Sequence, residues 1–246
     1  MKNLKESQIL TSNYPYGRYS LDYALDSLQR MGAGTIEFYA CYPHFHLDDV
    51  DYWDVKRITR KLIEHKLNIV CFTPEQCLYP VNIAALDPAA RKRSMDVFKK
   101  SIQFGAEMGT EYVVTLAGYG TLDEEESAAW KRSVESLGIL GDMAESYGVK
   151  LVLETSPREY TTTHNSKDVV RMIREVGSSA VKGMIDTATL DILGKPWNRQ
   201  LTIWKVAYAM YMWRTVFRMG TSSWGRDILI SRACWENWMP FITRGH

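Results

Sequence analysis

Two spacings of apolar residues alternate along this chain. Short runs rich in β-branched and aromatic residues, at positions 7–11, 35–39, 67–72, 111–116, 149–154 and 181–186, have the length and composition of strands. Between them apolar residues return every three or four positions, the period of a helix with one buried face. Ser20 reads as an N-cap for a helix carrying Leu21, Ala24, Leu25 and Leu28 on one side and stopping at Gly32. The same pattern predicts helices over 51–65, over 88–108 with Met95, Phe98, Ile102 and Ala106, over 123–147 with the acids Asp123 to Glu126 in its first turn, and over 165–176 behind Asn165 or Ser166. The strand always comes first, so the chain up to Gly194 holds six βα repeats, which predict a right-handed parallel sheet. Its 246 residues suit a barrel of eight such units, for which about 250 residues is usual. The expected fold class is α/β, a (β/α)8 barrel that is incomplete, with residues 1–194 supplying units one to six and residues 195–246 an atypical tail.

The fifth and sixth strands each stop on a carboxylate, Glu154 and Asp186. If the strands are parallel neighbours, both acids emerge at the carboxyl edge, where α/β proteins build their sites. One such acid is most simply the cap of the next helix. Two at matching places suggest hard oxygen ligands for a divalent metal. His44 and His46 lie in an irregular loop and read as surface hydrogen-bonding residues rather than a metal pair. The long proline-stiffened loop after the third strand, residues 73–82, is placed to cover or shape a site. The tyrosines at 14, 16 and 19 are of the kind that line a sugar site or simply pack.

Charge narrows the partners. With 30 basic and 29 acidic residues the chain has net charge +1, no electrostatic footprint for nucleic acid or an anionic membrane. No apolar run approaches the roughly 20 residues that span a bilayer. The expectation is a cytoplasmic protein with a small neutral substrate, no membrane or nucleic-acid partner, free thiols at Cys41, Cys71, Cys77 and Cys234, and possible homo-oligomers. The balance is uneven along the chain, −5 over residues 1–194 and +6 over the tail, which also holds six of the eight tryptophans. Such a tail could suit a membrane surface or nucleic acid. A second account is that it is an out-of-frame reading. Methionine and tryptophan each have one codon, and back-translating residues 209–225 in the shifted frame forces two valines and two glycines within His-Val-His-Val-Glu-Asp-Gly-Val-Pro-Asp-Gly-His-Leu-Ile-Val-Gly. On this account the natural frame diverges after Gly194.

Ile36-Glu37 with Pro43-His44, Thr73-Pro74-Glu75 with Tyr79-Pro80-Val81-Asn82, Leu153-Glu154, Asn165 with Asp168-Val169, and Met184-Ile185-Asp186 occur in an order and spacing that resembles the xylose-isomerase-like TIM-barrel sugar epimerases, most of all their fructoselysine 3-epimerase branch. The resemblance implies a single Mn, Co or Mg ion held by Glu and Asp of strands five and six, His of strand seven and Glu of strand eight. Glu154 and Asp186 match the first two, and the tail as written supplies neither of the others. It implies that Glu154 is also catalytic, one of two glutamates, the other being the strand-eight ligand, that remove and return a proton through an enediolate on a ketose. Glu159 matches a substrate-contacting glutamate, in a loop one residue shorter than the family's, and His164 matches no ligand. Alternatives on the same fold are another sugar isomerase or an inosose dehydratase. A DNA-repair endonuclease would need clustered histidines and a basic face, and a further alternative is a catalytically inactive product.

Overall fold

The structure, a computed structural model, describes residues 9–156, 161–186, 208–214 and 227–231. Its sheet closes into a barrel with eight strands in chain order. These are β1 (Ile9–Ser12), β2 (Thr35–Ala40), β3 (Asn68–Pro74), β4 (Tyr112–Thr115), β5 (Lys150–Glu154), β6 (Val181–Asp186), β7 (Tyr208–Arg214) and β8 (Asp227–Ser231). Outside the first five lie α1 (Leu21–Arg30), α2 (Tyr52–Glu64), α3 (Pro88–Glu107), α4 (Glu126–Ser146) and α5 (Ser166–Val176). Strands β1 to β7 pair in parallel, as the six expected units require. β8 runs antiparallel to both β7 and β1. The barrel is therefore closed as a sheet yet is not eight βα units. The two tail strands were not legible in the side-chain pattern, because any extended segment can satisfy the open backbone edges of β1 and β6.

Local chemistry explains where the helices begin and end. Ser20 accepts the amide of Tyr23 at the start of α1. Asp51 and Asp54 form a reciprocal capping box on α2. Asp87 caps α3 with Pro88 in its first turn. Asn165 takes the amides of Lys167 and Asp168, and α5 ends on Gly177 at φ 70°, a left-handed conformation that glycine adopts without steric cost. The acidic run differs from expectation. The helix begins only at Glu126, and Glu124 sits in the preceding turn, where it pairs with Arg132 at 2.7 Å and accepts the amide of Thr121.

Alternation sorts the strand residues into two layers. Leu151 and Leu153 of β5 face the helices with Ile36, Phe38, Phe72, Val113 and Val181, while Leu10, Cys71, Val114, Val152 and Met184 form a separate interior cluster. Phe38, Phe45 and Phe72 pack with ring centroids 5.7–6.1 Å apart. Each fully buried side chain of this size stabilises the fold by about 1.5–3 kcal/mol. The result is a rigid wall whose inner face and carboxyl rim are free to carry polar groups.

Candidate active site

Glu154 is the last residue of β5, half-buried and in register with Met184 of β6. Its backbone carbonyl lies 3.5 Å from the Thr163 hydroxyl, and among the described residues that follow it Thr155, Ser156, Thr161, Thr162 and Thr163 are buried. Thr162 donates its amide to Gly118 at 2.7 Å, and Gly118 bridges Thr161, so the loops after β4 and β5 form one rim. Gly118 is at φ 77°, and a Cβ there would meet the Asn82 side chain at 2.5 Å and the Ala84 amide at 2.7 Å. Asp186 ends β6, opposite Met212 of β7, at the same rim. Its side chain lies outside the described residues, as does Glu159.

The loop after β3 shapes the rim. Glu75 spends its carboxylate on the amides of Cys77 (2.5 Å) and Leu78 (2.7 Å), so it is committed to the turn. Gln76 accepts the amide of Leu116 at 2.8 Å and ties β3 to β4. The Tyr79 hydroxyl accepts the Tyr42 amide at 3.2 Å and lies 3.4 Å from the Cys41 sulfur; burial, first, and that contact push it up to about 12. Asn82 accepts from Ala84 and Tyr119 and donates to the Tyr119 carbonyl, which seats the third loop against the fourth.

The histidines correct expectation in part. His44 is not on the surface: it is 8% exposed, with Nδ1 2.9 Å from the Asn13 side-chain amide and Nε2 3.0 Å from the Tyr19 carbonyl. An amide donor on Nδ1 makes that nitrogen the acceptor and leaves the proton on Nε2. Burial lowers its pKa, opposed by the carbonyls of Tyr19 and Tyr16. His46 is half-buried, accepts the Asp48 amide and packs on Tyr79. His164 is also half-buried, with its amide on Asp168. Cys41, Cys71 and Cys77 are thiols, while Cys234 lies outside the described residues.

The sequence pattern assigns no role to Glu37 beyond its place in Ile36-Glu37. It is 3% exposed, on the inward face of β2 in register with Cys71, and accepts the Thr73 hydroxyl at 2.5 Å. The fully buried Cys71 thiol is pushed well up, first by burial, then by the charge of Glu37 and also by that of Glu154. The signal that could have found Glu37 is a carboxylate inside an otherwise apolar strand, Ile36-Glu37-Phe38.

The xylose isomerase-like TIM barrel pattern matches residues 25–210, well over half of the chain. The chain belongs to that family. Fructoselysine 3-epimerase of Shigella flexneri is 27% identical over 180 residues, 73% of this chain and 65% of that protein. The Escherichia coli O157:H7 protein of the same name is 26% identical over 180 residues, 73% and 66%. The match thus spans just under two thirds of these curated relatives. Among solved structures, 3-keto-D-glucoside 4-epimerase of E. coli has TM-score 0.74 at 17% identity, covering 95% of this chain and 87% of that one. For L-ribulose 3-epimerase the values are 0.72, 18%, 96% and 78%. For D-psicose 3-epimerase with D-fructose they are 0.68, 16%, 87% and 74%. At these identities the structures share the fold.

Members of this family raise the question of a metal. Among the described residues no three His, Cys, Asp or Glu side chains converge on a cation site. Glu154 is a hard oxygen donor at the rim, and Asp186 stands at the same rim on the next strand. Two carboxylates are the donor type that would hold an oxygen-seeking divalent ion. No helix among the described residues is long and apolar enough to cross a membrane.

Proposed function

We propose that this chain is a ketose 3-epimerase-type isomerase, acting on a small sugar. The observation that carries the reading is Glu154, a carboxylate ending β5 at the carboxyl rim of a barrel whose family and relatives include sugar epimerases. Bound between Glu154 and Asp186, a Mn, Co or Mg ion would supply Lewis-acid polarisation of the ketose oxygens. Glu154 removes the proton from the carbon beside the carbonyl. The electron pair left behind spreads onto oxygen as an enediolate, and return of a proton to the opposite face inverts the centre. The threonine-lined rim and the loops pinned by Gln76 and Asn82 hold the polyol and limit its mobility. Glu159 would contact substrate, and cytoplasmic location and homo-oligomers belong to the same reading.

The test is interconversion of D-fructose and D-psicose by the full chain with manganese, followed by NMR. Glu154→Gln should lower turnover by about 10²–10⁴-fold with little change in thermal stability, since the amide cannot take the proton. Undiminished turnover in that variant would return Glu154 to a structural role.

A further inference from the structure

We propose that Arg132 is a positioning residue of this isomerase, holding the loops after β3 and β4 in the arrangement that supports the loop after β5 and aims the Glu154 carboxylate; this rests on the epimerase reading above. Helix α4 turns a polar stripe inward. Ser133 and Ser136 are fully buried, and beside them Arg132 is 16% exposed with its partner Glu124 at 12%. An ion pair so deeply placed is seldom more stabilising than apolar side chains of the same volume, so stability alone does not account for it. What a guanidinium adds is direction, because its planar donors hold their acceptors at fixed angles.

This short stretch of α4 reaches three loops. Arg132 Nε donates to the Ala84 carbonyl at 2.7 Å, in the loop after β3, and a terminal nitrogen donates to both Glu124 oxygens at 2.7 Å, in the loop after β4. The Ser136 hydroxyl donates to the Ile83 carbonyl at 2.7 Å, and the Ser133 hydroxyl lies 3.5 Å from that of Thr162, in the loop after β5. Glu124 passes the constraint on. It accepts the Thr121 amide at 2.9 Å, and a Cβ on Gly120 would meet its carboxylate at 2.5 Å. From Ala84 the ties run toward the candidate base: its amide donates to Asn82, and Asn82 holds both the amide and the carbonyl of Tyr119. The neighbouring Gly118 carbonyl accepts the Thr162 amide, and the Thr163 hydroxyl donates to the Glu154 carbonyl at 3.5 Å. Arg132 thus acts on Glu154 through this chain of loops and not by touching substrate. A base displaced by about 1 Å from its working position loses about 10²-fold in rate. Such a displacement lowers kcat and leaves the contacts that bind the rest of the sugar in place.

The experiment uses the full chain with manganese, reads kcat and KM for interconversion of D-fructose and D-psicose by NMR well below the melting transition, and follows melting by circular dichroism. Arg132→Met should lower kcat by about 30–100-fold with KM within about threefold of wild type, and Arg132→Lys, which keeps the charge without the planar donors, should recover kcat in part. Trp130→Phe is the control on the same helix. It removes the 2.6 Å bond from Trp130 to Glu175, which ties α4 to α5 and to none of these loops, and should lower the melting temperature while leaving kcat within about twofold. A folded Arg132→Met with kcat within about threefold of wild type, a loss confined to KM, or an equal loss of kcat in Trp130→Phe overturns the positioning role and leaves the epimerase reading standing. A wild type that does not interconvert the two ketoses overturns that reading and this inference with it. Where Arg132→Met has no cooperative melt, Glu124→Gln carries the same comparison, with a loss of kcat of about tenfold at unchanged KM expected and an unchanged kcat as the contrary result.

Discussion

The six parallel units and the two closing strands solve the same backbone problem in different ways. In the units, each strand from β1 to β5 is followed by a helix that covers its outer face, and apolar alternation sorts every residue into one of two layers. In the closing pair, β7 continues the parallel order but β8 turns back, so that Arg214 stands opposite Asp227 and Ile9 opposite Ile230. Direction matters for chemistry. A parallel strand delivers its last residue to the rim, as β5 does with Glu154, whereas β8 brings its first, Asp227, and leaves Ser231 at the far end. Backbone pairing alone can close a barrel, but it does not place the terminal residue where an eighth βα unit would.

The harshest way to break this comparison is to remove residues 208–246. Loss of β7 and β8 opens the edges of β1 and β6 and exposes the cluster of Leu10, Cys71, Val114, Val152 and Met184 to water. The shortened chain should lose its cooperative thermal transition and elute as aggregate. A sharp melt by circular dichroism would show that the units stand without the closing pair. Replacing residues 195–246 with the shifted-frame reading should do the reverse and raise the melting temperature.

Within the units, Phe38→Ala should cost about 3–5 kcal/mol in urea denaturation, because the ring is fully buried between Phe45 and Phe72 and the rigid wall cannot collapse into the void. A cost below about 1 kcal/mol would mean that this wall is as adaptable as the tail.

The contrast also marks what the sequence could say. Six strands and five helices were legible because Leu151 and Leu153, or Ala24 and Leu28, repeat at the period of their element, and caps such as Asp51 and Asn165 are local. Glu154 was legible as a carboxylate that interrupts an apolar run at a strand end. His44 was not, because its burial comes from Asn13 and Tyr19, which lie in another loop. Glu37 carries no role in the sequence pattern for a similar reason: its partner, the Thr73 hydroxyl, lies on the next strand. β7 and β8 were hidden because their pairing is specified by the edges they meet more than by their own residues.

A finer test concerns the rim that only the units build. Gly118→Ala forces an L side chain to a positive φ and drives a Cβ into the Ala84 amide, which donates to Asn82, and into the Asn82 side chain, which is tied to Tyr119. The expected cost is at least about 2 kcal/mol, with a larger loss of epimerase turnover than of stability, since the Thr162 amide bond on Gly118 orients the segment after Glu154. Equal losses in the two measurements would make this rim merely structural.

The smallest effect expected is a pH dependence seated beside β1, the strand that both regions share. His44 is held neutral between the Asn13 side chain and the Tyr19 carbonyl, and burial keeps its pKa below the ordinary 6.5. The unfolded chain therefore binds its proton first as pH falls. Stability from this group is complete above about pH 6.5 and declines below it, until the folded-state value is reached. His65 acts in the opposite sense: its Lys61 carbonyl contact, and then Asp26, raise its pKa, so its contribution is present below 6.5 and lost as pH rises through the higher folded value. The two slopes partly cancel in wild type, and His44→Gln should uncover the His65 slope alone. Urea denaturation at pH 7.5 and 5.5 decides it. The variant should gain more stability than wild type, or lose less, on going to pH 5.5, because it has no neutral ring to protonate. Identical changes in the two proteins would mean that His44 titrates alike folded and unfolded, and that the loop it clamps opens freely at the β1 edge.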